Sequence, residues 1–205
     1  MNSLPWIDTF FKGLRRSQQR TLVFFVDAVL TSHNVCLAEI ARQAASLSGG
    51  RMHYALKRLW RFLHNPRMDD DAVVQGLISW VWPRLQHWKY VPISIDWTHN
   101  ESRYPWTTIA ASIILGRRGI PLMMWSYRKG QYDGHLSRNH CEQDFIRHLR
   151  QLLPKDDRII LIADRGFARV SLFQWLIKEN IPFIIRAPRS TQERFMGSQL
   201  YGARS

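Results

Sequence analysis

The chain has 205 residues, 45% of them hydrophobic, enough to bury a core and to exclude a disordered tail. Its formal net charge is +13, with 29 Lys and Arg against 16 Asp and Glu, so its natural partners are polyanions. No apolar run reaches the roughly 20 residues that cross a bilayer, and the N-terminal segment lacks the order of a secretory signal, so the expected partner is nucleic acid and not a membrane.

Cys36 and Cys141 lie far apart in unlike contexts, which argues against a disulfide framework and for a reducing, cytoplasmic, nucleoid-associated location. In chain order, apolar spacing predicts helices over 19–30, 37–46, 52–63 and 68–86. Ser48-Gly49-Gly50 punctuates the second and third, and Asn65-Pro66 stops the third. Met52, Leu56, Leu59, Trp60 and Leu63 form the expected apolar stripe of the third helix. Asp69, Asp70 and Asp71 open the fourth, where negative charge complements the helix dipole.

The character changes near residues 88–91. Strands are expected over 91–97, 107–115 and 121–127, the last two joined by the turn Gly116-Arg-Arg-Gly119. A helix over 139–153 follows, stopped by Pro154, then a strand over 158–163, a helix over 170–179 and a strand over 181–186. The expected fold class is therefore mixed: a helical region, 1–88, followed by a β-β-β-α-β-α-β domain, 89–205, whose order is that of a ribonuclease H-like sheet. In that topology the first and fourth strands are parallel neighbours, which would bring Asp96 and Asp164 together.

A carboxylate at the end of an apolar strand is costly to bury without compensation, and two together repel unless a cation sits between them. Mg²⁺ or Mn²⁺, held by oxygen ligands, suits such a pair and can drive phosphodiester chemistry. The alternative is that each Asp ends its strand and caps the next turn.

Ala163-Asp164-Arg165-Gly166-Phe167, followed by Leu172-Phe173-Gln174-Trp175-Leu176, resembles the second-acid motif of DDE transposases of the insertion-sequence-4-like group. Residues 91–97 resemble that group's first-acid strand. Trp60-Arg61-Phe62-Leu63-His64-Asn65-Pro66 is similar to its N-terminal region. The resemblance implies Asp96 and Asp164 as catalytic, metal-holding acids, and Arg165 as a group that orients an acid or contacts phosphate. It also implies a third acid in a Y-x-x-R-x-x-x-E-x-x-x-x-x-x-K signature. Only Tyr201-Gly-Ala-Arg204 fits the start of that signature, so the domain is expected to be C-terminally incomplete.

Glu142, on the same helix face as Phe145 and Leu149, is a possible substitute, although Asn139-His-Cys-Glu142 also spells a capping box. Glu179 and Glu193 read as surface residues. His135, His140, Cys141 and His148 fit no common zinc spacing. Trp97 reads as sheet packing. Arg117, Arg118, Arg128 and Lys129 either line a DNA path or sit in solvated turns.

Residues 37–46, the glycine turn and 51–64 resemble a helix-turn-helix. Arg51, Lys57, Arg58 and Arg61 lie off its apolar stripe, as a DNA-binding set or as the solvated face of a bundle. The function implied is transposition: metal-dependent hydrolysis at transposon ends in double-stranded DNA, then strand transfer, with a second copy or a full-length transposase as protein partner. Two other readings stand beside it. One is a non-catalytic DNA-binding fragment that inhibits transposition; the other is a stand-alone ribonuclease H-like nuclease that uses Glu142.

Overall fold

The structure, a computed structural model, describes residues 9–100, 106–128 and 137–187. The chain divides into two compact units, Met1–Trp82 and Pro83–Ser205.

The first unit holds α1 (Arg16–Ser32), α2 (Leu37–Ser48), α3 (Met52–Leu63) and α4 (Asp70–Val81). Helix α1 begins earlier than its apolar pattern suggests. The Gln18 side chain accepts the Arg15 N–H (2.9 Å), and the Gln18 and Gln19 amides donate to the carbonyls of Arg67 and Phe11. Two polar residues are thereby buried with their donors satisfied. Helix α2 ends where Gly49 adopts φ 66°, and the Gly50 N–H bonds back to Ala45 O, a glycine C-cap. Asp69 caps α4 by accepting the Ala72 N–H (3.0 Å), with Asp70 and Asp71 in the first turn. That helix is shorter than expected: a 3-10 turn, Trp82–Leu85, replaces its end at Pro83.

Phe24, Phe25 and Ala28 of α1, Ile40, Ala41, Ala44 and Ala45 of α2, and Ala55 and Leu59 of α3 form one buried cluster. The small residues of α2 let its neighbours approach closely. The expected stripe of α3 is corrected at two places. Trp60 and Leu63 are about half exposed, at 48% and 54%, and Ala55 takes the core position instead. No single helix among the described residues is long and apolar enough to cross a membrane. The pair α1 and α2 passes by length and composition together, but is bent by 104°.

The second unit is a five-stranded mixed sheet with helices. Its strands are β1 (Val91–Asn100), β2 (Trp106–Leu115), β3 (Arg118–Arg128), β4 (Ile159–Ala163) and β5 (Phe183–Ile185), with α5 (Arg138–Leu152) and α6 (Val170–Lys178) between them. The spatial order is β3-β2-β1-β4-β5. β1 pairs antiparallel with β2 and parallel with β4, and β4 pairs parallel with β5. The β2–β3 hairpin turns at Gly116-Arg117, with Gly116 at φ 63°, so β3 starts three residues before its apolar run.

Alternation along the strands separates two faces. Val91, Ile93, Ile95 and Trp97 of β1, and Ile109, Ala111 and Ile113 of β2, are buried on one of them, as are Phe145 and Leu149 of α5 and Leu172 and Leu176 of α6. The other face carries Ser94 and Ile162 as register partners and leaves Met124 and Ile184 about 60% exposed. Residues 85–88 belong with the sheet because the Arg158 guanidinium donates to the carbonyls of Leu85, Gln86 and Trp88 (2.9, 3.1 and 2.9 Å). The same guanidinium is fixed by the Asp156 carboxylate (2.5 Å), which holds the Asp156 carboxyl below the usual range.

Candidate active site

Parallel pairing of β1 with β4 runs from Val91↔Ile159 to Ile95↔Ala163. Asp96 is the next residue on β1, and Asp164 is the first residue after β4, in extended backbone. By alternation both fall on the face of Ser94 and Ile162, opposite the helix-covered side. Neighbouring strands lie roughly 4.8 Å apart, so the two acids leave the sheet side by side. Both are exposed. One expectation is corrected: β1 does not end at its acid. It runs on to Asn100, because β2 continues to pair with it where β4 has stopped (Asp96↔Ala110, Thr98↔Thr108).

Each carboxylate has one oxygen engaged by its own backbone. Asp96 Oδ1 accepts the Trp97 N–H and Asp164 Oδ1 accepts the Gly166 N–H, both at 2.8 Å. Asp164 therefore does cap the 3-10 turn Arg165–Phe167 that follows it. Neither second oxygen, Oδ2, has a protein hydrogen bond among the described residues. A side chain on Gly166 would place its Cβ 2.9 Å from Asp164 Oδ1, so glycine is required there for the carboxylate to keep its position.

The donor set, two solvent-facing carboxylates with free oxygens, fits one hard divalent cation. Among the described residues no group of three His, Cys, Asp or Glu could hold a metal. Glu142 in particular does not complete the set. It is fully buried on α5, and its oxygens are engaged: Oε1 accepts the Trp97 indole N–H (2.8 Å) and lies 3.3 Å from Arg138 Nε, while Oε2 pairs with Arg169. It is not part of a capping box either. Helix α5 begins at Arg138 with Ser137 as its N-cap, which puts Glu142 inside the helix.

Arg169, at the start of α6, is the residue that sequence reasoning missed. Besides Glu142 it donates to Gly166 O (2.6 Å) and to Asn139 Oδ1. Arg138 lies over the Trp97 ring at 5.2 Å, and Trp97 is buried, as its reading as sheet packing anticipated. The i, i+4 spacing of Arg138 and Glu142 was a legible sign of an ion pair. Arg169 offered none, because its partner lies on a different helix.

Arg165 is exposed, and its guanidinium has no ion-pair partner among the described residues. In the first unit, Arg51 precedes α3 at its N-cap, and Lys57 and Arg61 project from that helix, all three exposed. Arg58 differs. Its guanidinium donates to Thr21 Oγ1 (2.9 Å) and sits 4.9 Å from the Phe24 ring centroid, so it ties α3 to α1. The exposed side of α3 also carries Tyr54, and Trp60 stacked on His64 at 4.7 Å. No acidic residue occurs between Glu39 and Asp69. Lys129, His135, Glu193 and the Tyr201–Arg204 stretch lie outside the described residues.

No family profile matches the chain, and no curated protein sequence matches it. Solved structures that are similar over part of it include two of one phage protein. The large terminase of a thermophilic bacteriophage aligns at 13% identity over 50% of this chain and 24% of its own, with a TM-score of 0.33. The same terminase in complex with ATP-γ-S aligns at 14% identity over 47% and 23%, also at 0.33. The chain thus spans about a quarter of the length of these terminases.

Proposed function

We propose that this chain is a DNA-processing protein with a ribonuclease H-like second unit, and more specifically a DDE transposase of the insertion-sequence-4-like group. The observation that carries this reading is the parallel β1–β4 pairing, which ends at Ile95↔Ala163, one residue before Asp96 and Asp164. The β3-β2-β1-β4-β5 order supports the fold assignment, since it is the order in which a three-strand meander and two crossovers bring those acids together. The Asp-Arg-Gly-Phe run after β4 supports the family.

Asp96 and Asp164 would hold Mg²⁺ or Mn²⁺ through their free oxygens. The bound cation supplies activation of a water or 3′-hydroxyl and stabilisation of the departing oxygen. The backbone N–H groups of Trp97 and Gly166 orient the two carboxylates. Exposed Arg165 is placed one residue from the second acid, where it can meet a phosphate. Arg51, Lys57 and Arg61 present charge to the backbone of double-stranded DNA at transposon ends, while Arg58 acts by holding α3 in place.

A second reading is favoured by one observation: no third acid stands with the pair among the described residues. On that reading the chain binds DNA without cutting it, alone or paired with another transposase copy. Incubation with supercoiled plasmid and Mg²⁺ or Mn²⁺ separates the two. Nicking or joining lost in both Asp96→Asn and Asp164→Asn supports catalysis. DNA binding without any cleavage supports the second reading, and the absence of both would defeat the proposal.

A further inference from the structure

One continuous path links the two acids, with the buried Glu142 at its centre. Asp96 Oδ1 is held by the N–H of Trp97, and the indole N–H of Trp97 is held by Glu142. Glu142 pairs with Arg169, Arg169 holds Gly166 O, and the Gly166 N–H holds Asp164 Oδ1. Every link is a hydrogen bond, an ion pair or a covalent neighbour. Glu142 at the middle is fully buried, and Arg138 is its second cation.

A buried carboxylate with two guanidiniums and an indole is not needed to pack a sheet against a helix, because apolar residues of similar volume do so at no electrostatic cost. What such a group adds is direction. Its oxygens accept only from donors in set places: Trp97 on the strand of the first acid, Arg169 at the start of α6 just after the turn of the second, and Arg138 one turn earlier on α5. We infer that Glu142, Trp97 and Arg169 are positioning residues that hold the Asp96 and Asp164 carboxylates in mutual register. This rests on the metal-holding role proposed for the two acids, but the coupling itself is a property of the chain with no metal bound.

The first test is therefore metal-free. In the full chain, Trp97→Phe removes the indole donor on β1 and keeps an aromatic ring. Carboxyl-carbon and amide NMR signals should then move at Asp164 and Gly166 as well as at Asp96. Arg169→Lys should move Asp96 in return. If Trp97→Phe shifts only signals near residue 97, or Arg169→Lys leaves Asp96 unmoved, the inference fails. Both variants keep the buried Glu142 supplied with a cation, so folding is retained, and amide dispersion checks it.

The second test uses Mn²⁺ alone, its binding read by electron paramagnetic resonance. Groups that orient metal ligands are typically worth roughly 10–100-fold in affinity. Trp97→Phe and Glu142→Gln should each weaken an Asp96- and Asp164-dependent site by about tenfold. Unchanged affinity in both would overturn the positioning role. If the wild-type chain shows no Mn²⁺ binding that depends on these two acids, the proposed metal role fails, and the NMR result alone decides the inference.

Discussion

Replacing Glu142 with Leu is the most demanding test of the buried network. The carboxylate is fully buried, whereas the side chains of Arg169 and Arg138 are 29% and 39% exposed. The substitution leaves two guanidiniums without a counter-charge and the Trp97 indole N–H without an acceptor. Removing one partner of a buried ion pair costs about 3–5 kcal/mol, and the partial solvation of both arginines places this case near about 3 kcal/mol. For a unit of this size that corresponds to a fall in melting temperature of roughly 12 °C. Adding Arg169→Leu should restore part of the loss, because an apolar pair in the same volume leaves only one stranded cation. The recovery is incomplete, since Arg169 also holds Gly166 and Asn139. Urea unfolding of the full chain, followed by near-ultraviolet circular dichroism with m-values compared, gives the energies. A Glu142→Leu variant within about 0.5 kcal/mol of wild type, as for an ordinary surface site, would refute the reasoning.

The first unit should bind duplex DNA with an affinity that falls steeply with salt. Neutralising Lys57 and Arg61 should reduce the slope of log affinity against log salt by about 0.9 for each phosphate left without its cation, whereas Arg58→Gln should show its larger effect in the thermal stability of the helices. Filter binding at several salt concentrations measures the slope, and an unchanged slope in Lys57→Gln/Arg61→Gln moves the DNA surface elsewhere. The Asp156 carboxyl, held below its usual range by hydrogen bonds from Arg158, should stabilise the fold fully above about pH 5. Because its folded value is the lower one, that contribution is lost as pH falls below about 4, so Asp156→Asn should flatten the acid limb of a stability–pH curve.

The expected elements were legible wherever one local rule decided them. Gly49 ended α2, Asp69 opened α4, and short β-rich runs marked β1 and β2. Boundaries went astray where a distant partner decided them. β1 outran Asp96 because β2 continued beside it, and α1 began early because Gln18 and Gln19 found carbonyls across the unit. Trp60 fits the period of the α3 core stripe, yet it stacks on His64 in solvent, since periodicity identifies a face and not how far a neighbour extends over it.

By itself, the sequence determined that the chain is basic, that a helical part precedes a β-rich part, and that two acids each follow an apolar run. Those properties depend on composition and on residues a few positions apart. The parallel β1–β4 pairing expected from the element order is present and ends at Ile95↔Ala163. Only the tertiary structure decided that Arg58 is held by α1, and that Glu142 is the buried centre of a network instead of a helix cap or a metal ligand. The reason is that a carboxylate's role is set by what lies around its oxygens, and for Glu142 those neighbours, Trp97 and Arg169, come from distant parts of the chain that only the folded sheet and its helices bring together.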